Sequence, residues 1–195
     1  MTLAENKAAQ RRAGIAARRA LPQPERLAAQ QAICRRVAGL RCFRQARHIL
    51  LYAAFGGEAE LSALAQLALQ QGKTLAWPVC GEGFSLTAVV PGPQGWETGA
   101  YGIPSPLLSR GTVLQPEQLD LILVPCTAFD SGCRRVGMGK GYYDRYLPRC
   151  TGAVTLGVAF EAQRVPRAAA APHDRALNGF VTEKEVYFGT DTTEL

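Results

Sequence analysis

Apolar positions in this chain gather into short runs separated by segments with helical spacing. The run "HILLYAAF" at 48–55 is too short for a buried helix of normal length, so it predicts a strand buried on both faces. "TLAWPV" at 74–79, "LDLILVP" at 119–125 and "AVTLGVAF" at 153–160 predict further strands, with 119–125 the strongest of the set. Between the first two runs, "FGGE" at 55–58 is a glycine loop, and Leu61, Leu64 and Leu67 repeat at i, i+3 and i+6 before a stop at Gly72. That order, strand, loop, helix, strand, is a β-α-β unit. "FSLTAVV" at 84–90 alternates as a strand does, and the Gly/Pro-rich residues 91–106 predict a loop long enough to suspect a role in binding. "GFVTEKEVYF" at 179–188 predicts an edge hairpin.

Strong helix formers fill residues 3–20, and "LPQP" at 21–24 stops them, because proline lacks the amide donor and clashes with the preceding turn. A second helix is expected over residues 25–40, with Ile33, Val37 and Leu40 at helical spacing and Gly39 near its end. A third is expected at 141–147, ended by Pro148. Alternating strands and helices without a repeat or linker predict one α/β domain over residues 1–195. Its expected architecture is a three-layer sandwich, a mostly parallel central sheet flanked by helices.

Charge changes the picture in the basic N-terminal helical region, at about residues 3–40. The chain carries a formal charge of +6, and Arg11, Arg12, Arg18, Arg19, Arg26, Arg35 and Arg36 meet only Glu25 as an acid among them. An anionic partner follows, without a choice among nucleotide, nucleic acid and acidic protein. On the first helix Lys7, Arg11, Gly14 and Arg18 form one stripe, opposite Ala9, Ala13, Ala16, Ala17 and Ala20. Taken alone, such a stripe predicts a solvated charged face. Glu5 and the lack of serine argue against a transit peptide, and no apolar run is long enough for a membrane span. Cysteines 34, 42, 80, 126, 133 and 150 form no C-x-x-C pair, and the histidines are His48 and His173 alone. Reduced thiols in a cytoplasmic protein are expected, as core or neutral surface residues, with zinc and disulfides disfavoured.

The densest chemistry lies in "RRVGMGKGYYDRYL" at 134–147, after the strongest strand and at the start of a helix. Open α/β sheets bind ligands at such places, beyond the carboxyl ends of their strands. A dinucleotide fingerprint needs glycine at 142, where Tyr142 stands; a Walker loop needs Ser or Thr after its lysine, and Gly141 follows Lys140. What remains is Gly137, Gly139 and Gly141 at alternate positions, an anion nest. Arg134, Arg135 and Lys140 can neutralise phosphate oxygens, and Asp144 is a hard oxygen ligand of the kind that holds Mg²⁺ to a nucleoside triphosphate.

The whole string resembles the signature of the 5-formyltetrahydrofolate cyclo-ligase family. The resemblance extends to Lys7 and Arg11 in K-x-x-x-R, to Arg18, to "LYAAFGGEAEL" with Glu58, to "LDLILVPCTAFD" and to "PHD…VTE", and so runs from residue 7 to about 183. It implies conversion of 5-formyltetrahydrofolate to 5,10-methenyltetrahydrofolate with hydrolysis of ATP and use of Mg²⁺, through a phosphorylated formyl group. Lys7 and Arg11 are then expected on the triphosphate, with Arg135, Val136, Gly137, Met138, Gly139, Lys140, Gly141, Tyr142 and Tyr143 wrapping its other side. Lys140 and Arg135 are the expected catalytic pair. Ala53, Glu58, Tyr101 and Tyr143 are expected on the folate, Glu58 as the pterin-binding carboxylate. Asp144 is the expected metal ligand, joined by Asn178, which stands where relatives often carry aspartate. His173 and Asp174 are expected to be structural.

Two other classes remain: a basic nucleic-acid-binding module, and a sugar-phosphate isomerase or CoA-transferase-like enzyme. The basic segment lacks interleaved aromatics, and neither class explains the glycine loop. A monomer acting on small molecules, without nucleic acid or membrane, is expected.

Overall fold

The computed structural model describes residues 1–99, 102–171, 174–189, 192 and 195. Helix α1 (Leu3–Ala20) opens with a capping box, in which Thr2 Oγ1 accepts from the Glu5 amide and the Glu5 carboxylate accepts from the Thr2 amide. The break at Leu21 is short: Pro22 and Pro24 start α2 (Gln23–Gly39), since proline costs nothing where amides are already unpartnered. A short α3 (Arg41–Gln45) leads to β1 (His48–Leu50), α4 (Ser62–Gln70) and β2 (Thr74–Cys80). Then come β3 (Leu86–Pro91), β4 (Trp96–Thr98), β5 (Pro104–Pro106), β6 (Gly111–Leu114) and β7 (Leu121–Pro125). The remainder is β8 (Ala128–Phe129), β9 (Arg135–Val136), α5 (Tyr142–Tyr146), β10 (Val154–Val158), β11 (Gly179–Val181) and β12 (Val186–Phe188).

The main sheet has the order β12-β11-β10-β7-β1-β2-β3-β6. Its centre, β11 to β2, is parallel; β12 on one side and β3 and β6 on the other are antiparallel. The expected α/β sandwich is therefore present, as is the edge hairpin at 179–188. Alternation along β7 sets the layers. Leu121 and Leu123 join Ile33, Val37 and Leu64 of α2 and α4 on one face, whereas Ile122 and Val124 join Leu50, Phe129, Tyr146 and Phe180 on the other. That second face is covered thinly, by α5 and the 3-10 turn Leu147–Arg149.

Several local expectations change. Residues 51–55 leave the ladder after the three-residue β1, although Leu51 and Tyr52 stay buried. Residues 91–106, expected as a loop, contain the β4–β5 hairpin, with Trp96 set edge-on to Trp77 at 5.1 Å between centroids. Strands β6, β8 and β9 add pairings that residues 111–136 did not announce. The largest correction concerns α1. Its stripe turns inward: Gly14 and Arg18 are the buried residues of the helix, and the helix packs across β8 at the carboxyl end of β7. A Cβ on Gly14 would stand 1.8 Å from the Thr127 carbonyl oxygen, so only glycine allows this approach.

Candidate active site

Loops at the carboxyl ends of the parallel strands enclose a cleft of about 710 Å³. Every residue of 135–144 lines it, and Lys7, Arg11, Ala53 and Glu58 line it from other parts of the chain. Sequence positions separated by more than a hundred residues thus meet on one cavity, as an open α/β sheet allows. Tyr101 lies outside the described residues, as does His173.

The glycine loop is open in character. Gly139 and Gly141 adopt φ of 97° and 72°, a left-handed backbone that strains other residues. Gly141 caps α5, and the Arg11 guanidinium packs against Gly139 while its Nε donates to the Gly137 carbonyl at 2.8 Å. Lys140 is exposed. Arg135 is buried, with Nη2 donating to Asp144 Oδ1 at 2.6 Å and Nη1 to the Arg175 carbonyl at 3.1 Å. Asp144 remains about one-third exposed, at 34%. Lys7 is ion-paired to Asp174, which also lines the cleft. Asp174 thus holds Lys7 within the lining of the cleft, a placement compatible with the structural role expected of it.

At the other end, Glu58 sits beside the buried Arg18, Nη1 to Oε1 3.5 Å, and its second oxygen accepts from the Phe55 amide at 3.1 Å. Burial raises the Glu58 pKa above the ordinary carboxylate value, and the Arg18 charge opposes that rise without cancelling it. The Tyr143 hydroxyl is buried with no hydrogen-bond partner among the described residues, and burial raises its pKa. A buried hydroxyl without a partner is costly, so this one is a natural donor to a ligand in the cleft. The Cys126 thiol, also in the lining, is pushed up to about 12 by burial, which keeps it protonated.

Asn178 does not join this set. Its Oδ1 accepts from the Thr155 amide at 2.8 Å and the Thr155 hydroxyl at 2.9 Å, and its own amide donates back to that hydroxyl at 3.1 Å. It precedes β11, which runs parallel to β10, and therefore stands at the amino edge of the sheet, away from the cleft. Among the described residues no group of three or more His, Cys, Asp or Glu could hold a metal ion. The donor set fits a Mg²⁺ held jointly by one carboxylate, Asp144, and phosphate oxygens, the usual manner for this ion.

Reading the sequence for motifs missed the apolar wall. It consists of Pro78, Val79 and Leu86 from β2 and β3 and of Ile103 and Pro104 from the β4–β5 hairpin, which also brings Glu97 and Ser105 into the lining. Only the length of the 91–106 segment pointed there.

A sequence model of the 5-formyltetrahydrofolate cyclo-ligase family matches residues 4–183. A 5-formyltetrahydrofolate cyclo-ligase of Haemophilus influenzae is 32% identical over 142 residues, 70% of this chain and 76% of that protein. The solution structure of Aquifex aeolicus 5,10-methenyltetrahydrofolate synthetase superposes with a TM-score of 0.83 at 33% identity, covering 97% of this chain and 95% of that one. The 5,10-methenyltetrahydrofolate synthetase of Mycoplasma pneumoniae shares the fold, with a TM-score of 0.76 over 91% of this chain and 99% of that one, at 23% identity. From α1 to the β11–β12 hairpin, the chain belongs to the 5-formyltetrahydrofolate cyclo-ligase family.

Proposed function

We propose that this chain cyclises 5-formyltetrahydrofolate to 5,10-methenyltetrahydrofolate, with ATP converted to ADP and phosphate. One observation carries the reading: a cationic glycine loop and the largely buried Glu58 carboxylate line one and the same cleft. A formamide oxygen is a poor leaving group. It attacks the γ-phosphorus, ADP departs, the neighbouring folate nitrogen adds to the activated formyl carbon and loses its proton, and phosphate leaves as the ring closes. Alignment and charge neutralisation suffice for such a transfer, without a protein nucleophile.

Amides of residues 137–141, the Lys140 ammonium and the Arg11 guanidinium hold the triphosphate, with Lys7 reaching it from α1. Arg135 orients the Asp144 carboxylate through its 2.6 Å hydrogen bond. Mg²⁺ on Asp144 and the phosphate oxygens would neutralise charge on the transferred group. Glu58 accepts from the pterin, the Tyr143 hydroxyl donates to the folate, and Ala53 with the apolar wall excludes water from the reacting end.

A cytoplasmic setting is the proposed one, in keeping with its free thiols, and a monomer is the proposed state. No nucleic-acid partner is proposed, because Arg18 is buried and Lys7 and Arg11 are turned to the cleft, so the stripe offers no continuous basic surface.

The test is to mix folded protein with 5-formyltetrahydrofolate, ATP and Mg²⁺ and follow the methenyl product in the near ultraviolet. Product is expected only when ATP is present. Its absence with both substrates supplied would reject the reading.

A further inference from the structure

Phe84 closes the 3-10 turn Glu82–Phe84 between β2 and β3. It combines two unfavourable features. Its side chain is 41% exposed, and its backbone is left-handed at φ 58°. A bulky residue rarely adopts that conformation unless its surroundings hold it there. The surroundings are the glycine loop. Lys140 Nζ lies 5.6 Å from the centroid of the Phe84 ring, Arg145 Cζ lies 5.2 Å from it, and the Tyr142 ring meets it edge-on at 5.8 Å and 78°. Arg145 Nη1 also donates to the Lys140 carbonyl at 2.8 Å. One ring from a distant turn thus fixes Lys140 twice, through its ammonium and, by way of Arg145, through its backbone. Phe84 does not itself line the cleft.

The geometry points to Phe84 as a positioning residue for ATP use: its ring holds Lys140 and the start of α5 in the arrangement that receives the triphosphate. An aromatic face attracts a cation by its quadrupole, and an ammonium held in place loses less freedom when phosphate binds. The inference rests on the proposed contact between Lys140 and the triphosphate. It adds that the β2–β3 turn, whose following strand carries Leu86 of the apolar wall, also sets the nucleotide end.

Steady-state kinetics with each substrate varied tests this. Phe84→Leu keeps bulk and removes the quadrupole; it is expected to raise KM for ATP about two- to fivefold, leaving KM for 5-formyltetrahydrofolate unmoved. Phe84→Trp is expected to restore the wild-type KM for ATP. Phe84→Gly relieves the left-handed backbone, so it should melt no lower than Phe84→Leu yet show the same rise in KM for ATP. In a Lys140→Ala background Phe84→Leu is expected to add less than it does in the wild type, because only the contact through Arg145 and the Lys140 carbonyl remains. A wild-type KM for ATP in Phe84→Leu, or an undiminished effect in the Lys140→Ala background, overturns the inference while the cradle stands. A wild-type KM for ATP in Lys140→Ala removes the cradle itself, and the inference with it.

Discussion

Two glycine loops line the cleft beyond neighbouring parallel strands, residues 55–58 after β1 and residues 137–141 after the β8–β9 hairpin that succeeds β7, and they are built alike. Each holds two glycines with left-handed φ, Gly56 and Gly57 at 58° and 85°, Gly139 and Gly141 at 97° and 72°. Each receives an arginine of α1, Arg18 Nε donating to the Gly56 carbonyl at 2.9 Å and Arg11 Nε to that of Gly137 at 2.8 Å. They differ in what is left over. Arg18 is 1% exposed and spends its remaining donors on the carbonyls of Phe55 and Cys126 and on Glu58. Arg11 is half-buried and keeps its guanidinium ends against Gly139 at the cleft, near an exposed Lys140. One loop is saturated and serves as an anchor; on the proposed reading the other keeps its cations for a ligand. The same residue type on the same helical stripe has two roles, separated by burial.

The contrast is sharpest in stability. Arg18→Met leaves the Gly56 carbonyl without a donor, takes one donor from the Phe55 and Cys126 carbonyls and removes the counter-charge of the Glu58 carboxylate, and is expected to cost ~3–5 kcal/mol in denaturant unfolding. Arg11→Met should cost about 1 kcal/mol. Equal losses would erase the distinction between anchor and ligand-facing loop. Next in size, Lys140→Ala is expected to raise KM for ATP roughly tenfold or more, the worth of a charge-assisted hydrogen bond, with little change for the folate. A larger effect on the folate would mean that the open loop faces the other substrate. Tyr143→Phe removes an unpartnered buried hydroxyl. It is expected to leave the free protein unchanged or stabilise it by up to ~1 kcal/mol, while weakening 5-formyltetrahydrofolate binding several-fold. Thermal melting with and without substrate separates the two effects.

The smallest effect concerns pH. Burial raises the Glu58 pKa above 4.5, so the favourable neutral form is fully present below that value and lost as pH rises through the raised one. The melting temperature of Glu58→Gln, relative to wild type, is therefore expected to climb as pH rises from about 4 to 7. A flat difference would mean that Arg18 neutralises the burial penalty completely.

Much of this was legible in the residues. The apolar run at 119–125 marks the strongest strand, and the proline break at 21–24 delimits α1 because proline acts locally. The glycine string was legible because only a backbone with positive φ needs that spacing before a helix. Strands β8 and β9 were not, since two residues carry no period. The β4–β5 hairpin hid in a Gly/Pro-rich segment, where proline is tolerated only because each strand has a single partner. The partner of Asp174 was not legible, because Lys7 lies far away in the chain. Asn178 was misassigned because its oxygen finds Thr155 across two parallel strands rather than an ion.

Sequence alone determined the order of the principal strands and helices, the position of the glycine loop and the set of cations around it, because these follow from periodicity, proline and glycine within a few residues. Tertiary structure decided which cations are spent and which are free. The desolvation of a guanidinium depends on carbonyl oxygens brought from residues 55, 56 and 126, and the placing of Lys140 depends on a ring at residue 84. Neither distance is encoded in a local pattern.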